Sequence, residues 1–356
     1  MVARNKETSP TASAFRAHNQ QIVSLQYLRA VAALLVVFHH VRNPSNGLFN
    51  PISHWNFGQS GVDVFFLISG YIMYAVARTE RPVRFLKRRI IRIVPLYWIA
   101  TFFLYFQVSI GFPGILPTVD QLLKSLLFIP QYHLQNPTEI WPFLVPGWTL
   151  QFEIYFYAIF AIGLAFRQLL PVVLLIGAIA IVIGQIGLGI QGNALFATYT
   201  SPIITEFFQG MLVAVIHRRR SLASYWLALP LGIAALFLVG SLDAPRLLIW
   251  GLPSTLILIG CLAIEDAGKM PDLPTFRLLG DASYSIYLSH AFILQIGLLV
   301  WWKVPITGWP QFLVFTPAAI VGCAFIGIMI YRYIERPMLH RLQRKRKSNT
   351  TLAQQG

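Results

Sequence analysis

Residues 25–41, LQYLRAVAALLVVFHHV, decide the fold. The stretch is long and apolar enough to cross a membrane as a helix, yet it carries Arg29 near its start and His39 and His40 near its end. Ionisable groups are costly inside a bilayer, so their presence marks them as functional candidates. Helical periodicity then separates the two histidines. Arg29 and His40 are eleven residues apart; at about 100° per residue, eleven steps return to within about 20° of the starting face, about 16 Å further along the axis. His39 falls about 80° off that line. The expectation is one guanidinium and one imidazole facing the same interior channel at two depths. A second reading fits the same residues: an arginine snorkelling to the surface and a histidine pair closing the outer end.

Of 356 residues, 56% are hydrophobic and only 12% charged, and the mean hydropathy is +0.61. A soluble fold has no interior large enough to hide so much apolar surface, so the chain reads as an all-α, polytopic integral membrane bundle in a lipid bilayer. Apolar runs separated by turn and charge signals give about ten transmembrane helices, beginning near residues 25, 58, 90, 148, 170, 202, 226, 247, 284 and 311. The net charge of +15 follows from those spans rather than from nucleic acid. With a cytoplasmic N-terminus, 24 of the 28 Lys and Arg fall on inner segments, and only Arg42, Lys124, Arg246 and Lys303 on outer ones. That asymmetry puts both termini on the cytoplasmic side. Residues 1–24 lack an apolar h-region and a small-residue cleavage site and read as a cytoplasmic tail; residues 25–338 form the membrane domain and 339–356 a basic cytoplasmic tail. Cys261 and Cys323 sit in separate apolar stretches without ligand spacing, so neither a disulfide nor a metal site is expected.

Several further stretches carry chemistry. In span two, FGQSGVDVFFLISGYIMY from Phe57, the small residues Gly58, Ser60, Gly61, Ser69 and Gly70 suit close helix packing. Asp63 lies about one turn inside the outer end, near the expected depth of His40. There it either caps its helix or fixes the tautomer of that imidazole and raises its basicity. The segment RTERPVRFLKRRIIR, residues 78–92, suffices as a topogenic signal. Yet Arg84 with Arg88, and Arg89 with Arg92, pair along helix faces and would suit the phosphates of a nucleotide-like donor at the inner mouth. Pro95 is expected to bend the helix above them. The outer loop at about 111–147 is rich in proline and aromatics, and it either covers an outward-facing binding site or anchors the interface. Glu153 follows about one turn inside span four, where it must be paired or face water. Spans five to eight read as scaffold, with Glu206 the exception. Near the end, Tyr284, Tyr287 and His290 recur at i, i+3 after Ser283 and form one polar stripe on an apolar helix. A histidine in that setting is either a hydrogen-bonded core residue or a catalyst. Glu335, in YRYIERP, is expected to pair with Arg332 or Arg336.

Taken in order, these motifs resemble the acyltransferase-3 family of bacterial membrane O-acyltransferases. They are Arg29 and His40 with ten residues between them, GVDVFFLISGY (61–71), RRIIRIVPLYW (88–98), WTLQFEIYFY (148–157), SYSIYLSH (283–290) and ERP (335–337). The resemblance covers about residues 22–340, and the opening SLQYLRAVAALLVVFHH is most similar to the exopolysaccharide-modifying subgroup. One departure is Gly58–Gln59, where many members have a glycine pair. The resemblance implies transfer of an acyl group, usually acetyl, from cytoplasmic acetyl-CoA or another acyl-CoA. The acceptor it implies is a hydroxyl of a surface glycan or a lipid-linked oligosaccharide precursor. The setting is the bacterial inner membrane, beside the polysaccharide synthesis machinery. By position, Arg29 and His40 match the family's paired functional residues, and Arg89 and Arg92 its arginine pair for the donor, with Arg88 beside them. Asp63 and Glu153 are added as orienters of His40, and Ser69, Trp148, Tyr284, Tyr287 and His290 as further site candidates. His40 would then either deprotonate the acceptor hydroxyl or carry the acyl group itself. A transporter or flippase for lipid-linked glycans and a scaffold subunit for polysaccharide export are the alternatives. No soluble domain is expected after span ten.

Overall fold

A computed structural model describes residues 22–42, 48–111, 113–187, 192–240 and 242–343. The expected tails at 1–24 and 339–356 therefore lie outside the described residues, except for 22–24 and 339–343. Among the described residues the chain is helical, with no strand. Hydrocarbon offers no partner to a backbone N–H or C=O, and a helix satisfies both internally. The helices are α1 (Val23–Arg42), α2 (Ser60–Ile72), α3 (Pro82–Gly111), α4 (Val119–Leu126), α5 (Trp148–Ala165), α6 (Leu169–Ile186) and α7 (Ala194–Tyr199), followed by α8 (Thr205–Arg219), α9 (Ala228–Val239), α10 (Leu252–Asp266), α11 (Pro274–Asp281), α12 (Ser283–Trp301) and α13 (Gly308–Ile330).

Nine stretches among the described residues are long and apolar enough to cross a membrane. The remaining expected span is α9, whose 12 residues are short for the task. At 1.5 Å per residue it covers about 18 Å of a hydrocarbon core about 30 Å thick. The chain nonetheless returns across the bundle there, because α8 and α10 run parallel. Gly251, just before α10, packs against Glu206 at the start of α8, while His217 near the end of α8 bonds Asp266 at the end of α10 at 2.9 Å. The connection through α9 must therefore join opposite ends of the bundle. The end where α1 begins is termed the inner end below.

Burial sorts the helices: 67% of the span Phe57–Ala77 is buried against only 11% of Leu169–Ile186. So α2 is central and α6 lies at the edge. The central position depends on two glycines. A Cβ on Gly70 would fall 2.0 Å from the carbonyl oxygen of Phe207, and one on Gly210 would fall 2.0 Å from that of Leu67, so α2 and α8 cross backbone against backbone. Around the crossing, Phe207 stacks on Phe66 at 4.6 Å and on Phe156 at 4.2 Å, which joins α2, α8 and α5. Two adjacent carboxylates of α10 tie the inner end. Glu265 accepts from the backbone N–H groups of Val23 and Ser24 at 2.9 and 3.0 Å, capping α1 from another helix. Asp266 accepts from the Leu222 N–H at 2.6 Å and the Ser221 hydroxyl at 3.0 Å.

Alanine at Gly70 or at Gly210 is expected to destabilise the protein by about 1–3 kcal/mol through overpacking. Gly322 has nothing within 4 Å of its Cβ position, so alanine there should leave stability unchanged. Thermal unfolding of the purified variants in detergent checks both statements.

Candidate active site

Helices α1 and α12 run side by side, and their shared face builds the centre. Arg29 Nη2 donates to Ser283 Oγ at 3.0 Å. Three turns further along α1 and two along α12, the ring of His40 stacks on that of His290, with centroids 4.9 Å apart. Ser283 and His290 of α12 thus face Arg29 and His40 of α1, while Tyr284 and Tyr287 turn towards α3 and the start of α5. His39 is turned aside, with Gly58 packed against its Cβ. His290 is buried, and its Nδ1 lies against the carbonyl oxygen of Tyr287 one turn earlier. A carbonyl only accepts, so Nδ1 is the donor of this contact. His40, by contrast, is exposed.

Deeper in the bundle, a cavity of about 140 Å³ opens between α1, α2, α3, α5 and α12. Arg29, Arg89 and Arg92 line it, with Glu153 as its carboxylate. Glu153 accepts from Ser69 Oγ at 2.9 Å and from the hydroxyl of Tyr157 one turn on. Arg89 lies over the rings of Phe85 and Tyr157, 5.5 and 5.8 Å from their centroids, so aromatic faces steady a cation in a partly apolar wall. On the α12 side, Tyr284 donates to the carbonyl of Ile93 at 2.8 Å. Tyr287 donates to the carbonyl of Pro146 at 2.9 Å and meets Thr149 Oγ1 at 2.8 Å. Three cations against one carboxylate make this cavity electropositive, which suits an anionic ligand. Trp148 starts α5 and packs edge-on against Phe152 at 6.0 Å. Among the described residues, no three His, Cys, Asp or Glu side chains converge as metal ligands.

The structure corrects four sequence expectations. Asp63 does not orient His40: it is fully buried, and its two oxygens accept from Arg246, from Nε at 3.0 Å and from Nη2 at 2.6 Å. A guanidinium matches both carboxylate oxygens at once, which an imidazole cannot do. Glu153 is not at the depth of His40 either; it belongs to the arginine cavity. Arg88 turns to Glu80 instead of lining that cavity, because one residue along a helix is a rotation of about 100° from Arg89. Glu335 accepts from Ser285 Oγ at 2.6 Å rather than pairing with Arg332 or Arg336.

Spans five to eight supply Arg246 and Glu206, whose ion cluster with Asp63 is a structural contribution. Glu206 is buried and stands 3.8 Å from the same guanidinium as Asp63. A signal for Arg246 existed in the sequence, as one of only four basic residues on the outer segments. Arg42, another of the four, is buried and donates to the carbonyls of Ile52 and Trp55, which folds the loop between α1 and α2.

Fold and site together define an integral membrane enzyme that gathers cations in a cavity at mid-depth and sets an imidazole pair beyond them. The family model described as an acyltransferase domain matches residues 22–332, and the chain belongs to this acyltransferase-3 family of membrane O-acyltransferases. It is similar to the exopolysaccharide production protein ExoZ of Rhizobium meliloti (strain 1021), with 36% identity over 317 residues, covering 82% of this chain and 93% of that protein. It is also similar to the acyltransferase MdmB of Streptomyces mycarofaciens, with 28% identity over 317 residues, covering 78% and 80%. No solved structure matches the chain.

Replacing Arg246 by alanine leaves two buried carboxylates together without their cation, and is expected to cost about 3–5 kcal/mol. Asp63→Asn leaves Arg246 its second partner, Glu206, and should cost less. Unfolding temperatures in detergent should fall in that order, and the reverse order would contradict the assigned role of the guanidinium.

Proposed function

We propose that the protein transfers an acyl group, acetyl in the first instance, from cytoplasmic acyl-CoA to a hydroxyl of an exopolysaccharide or of its lipid-linked precursor. The enzyme works in a bacterial inner membrane with both termini on the cytoplasmic side. The observation that carries this reading is the sorting by depth: three arginines in one cavity, a stacked histidine pair outward of them. The similarity to an exopolysaccharide production protein of Rhizobium meliloti supports a glycan acceptor.

The phosphates of the donor meet Arg89 and Arg92 above the basic inner segment, with Arg29 as the third cation. Guanidiniums suit that task because each presents several fixed donors to phosphate oxygens. Glu153, held by Ser69 and Tyr157, balances part of their charge when the donor is absent. The thioester arm extends outward past Tyr287 to the exposed face of His40. There the acceptor hydroxyl gives its proton to the imidazole, and its oxygen attacks the thioester carbonyl. The carbon–sulfur bond breaks, and the departing thiolate takes the proton back from the imidazolium, leaving an ester and free thiol. His290, anchored through Nδ1, fixes the plane of the His40 ring.

His40→Ala is expected to lower kcat by about 10²–10⁴ with KM for the donor little changed. Arg89→Ala and Arg92→Ala are each expected to raise that KM about tenfold, equivalent to about 1.4 kcal/mol. In cells lacking the gene, proton NMR of surface polysaccharide should show an O-acyl signal restored by wild type and not by normally expressed His40→Ala. Equal restoration by both proteins would reject the mechanism. An unchanged acyl signal with altered polymer export would favour a transporter or scaffold instead.

A further inference from the structure

A second cavity, of about 330 Å³, lies outward of the histidine pair, within the range of about 300–1,000 Å³ usual for small-ligand sites. Its walls come from the outer part of α3, the start of α4, the loop that follows α4, and Gln295 of α12. Gln295 is five residues beyond His290 on the same helix, about 7 Å further out along the axis and about 140° round it, so it presents to a different face of α12. Val145, also in the wall, adjoins Pro146, whose carbonyl holds the hydroxyl of Tyr287 in the arginine cavity. A single turn, Val145–Gly147, and the ring of Tyr287 thus stand between the two cavities.

The chemistry of this lining differs from that of the first cavity. Five glutamines converge there with the rings of Tyr132, Trp141 and Phe143, and among the described residues that line it none is Asp, Glu, Lys or Arg. Two of the amides are held in place by backbone. Gln121 accepts the Thr118 N–H at 3.0 Å through its side-chain carbonyl, which leaves its NH2 for a ligand. Gln131 donates its NH2 to the carbonyl of Gln121 at 2.8 Å, which leaves its own carbonyl oxygen. The Gln107 carbonyl oxygen and His133 Nδ1 are buried without a partner, a condition that favours any ligand able to answer them. Burial holds the His133 imidazole below its ordinary 6.5, so it is uncharged at neutral pH. Its ring meets that of Trp141 edge-on at 5.9 Å.

Fixed donors and acceptors beside flat apolar rings match a molecule whose hydroxyls both donate and accept and whose C–H faces are apolar. Such a molecule is a sugar. An anionic ligand would find no guanidinium or ammonium here, and a hydrocarbon chain would leave the amides unanswered. We propose that this cavity is the acceptor subsite and holds an uncharged sugar residue of the glycan across the Val145–Gly147 turn from the arginine cavity. Its purpose rests on the acyl-transfer reading; its chemistry does not.

The test is saturation-transfer NMR on the full chain in detergent. The probes are neutral tetrasaccharides of glucose, galactose and mannose, with tetragalacturonate as the anionic comparison. Transfer is expected to at least one neutral tetrasaccharide and not to the uronate. It should weaken at least tenfold in Trp141→Ala and in the double variant Gln107→Leu, Gln131→Leu, and persist in His40→Ala. Trp141→Phe keeps an aromatic face and should retain binding, and a wild-type unfolding temperature establishes that each variant is folded. No binding of any neutral probe, preference for the uronate, or binding indifferent to both the Trp141 and the glutamine variants would overturn the subsite. If the sugar binds but no acyl group moves, the acyl-transfer reading fails alone. If Trp141→Ala acylates polymer at the wild-type rate, the subsite fails alone.

Discussion

Every charge buried in this bundle has to be answered, and the answer given to Asp63 sets the positions of three helices. Asp63 has no exposed surface, and a carboxylate out of water without a partner is destabilising by several kcal/mol even after relaxation. Arg246 supplies two parallel bonds to it and reaches Glu206 as well. Asp63 is in the first turn of α2, Glu206 is in the first turn of α8, and Arg246 introduces α10. One guanidinium therefore pins three helix starts at one level. The π-helical turn Leu247–Gly251 follows directly, and such turns re-aim side chains at functional points of a helix. Trp250 from that turn lies 4.6 Å from the Arg246 guanidinium. The glycine crossing of α2 and α8 needs this register, because a slide of one residue, about 1.5 Å, would drive side chains into the space that Gly70 and Gly210 keep open.

With that frame in place, the polar groups along the bundle fall into layers. Carboxylates of α10 cap and tie the inner end, cations gather around Glu153, and an imidazole pair lies further out. Arg29 belongs with Arg89 and Arg92 and not with His40, although it shares a helix face with the histidine. The neighbours decide this: Gln26 packs against Gly280, which sets Arg29 level with Ser283, while His40 meets His290 further out. An electropositive cavity and an amide-rich one without Asp, Glu, Lys or Arg in its described lining are divided by Tyr287 and one turn of loop.

Much of this was legible in the residues. The motifs named the family, whereas the one channel that the helical period suggests for Arg29 and His40 does not appear: Arg29 lines the arginine cavity and His40 does not. Depth was the less reliable guide. Asp63 and Glu153 were assigned to His40 because all three count to a similar distance from the outer end. Depth is one coordinate, and the direction a side chain faces depends on which helix lies beside it. Counting basic residues on each side explained 24 of them as topological, and two of the four exceptions, Arg42 and Arg246, turned out to hold structure together.

Hydropathy and helical period are local properties, and the sequence by itself therefore determined the class, the approximate spans and the polar face of each helix. Only the tertiary structure decided who faces whom: Arg246 for Asp63, His290 for His40, Ser283 for Arg29, the five amides around the outer cavity. Arg29 and Ser283 are 254 residues apart in the chain, and Arg246 and Asp63 are 183 apart. No local pattern encodes such pairs, because they exist only once close-packed glycines and shared carboxylates have chosen each helix's neighbours.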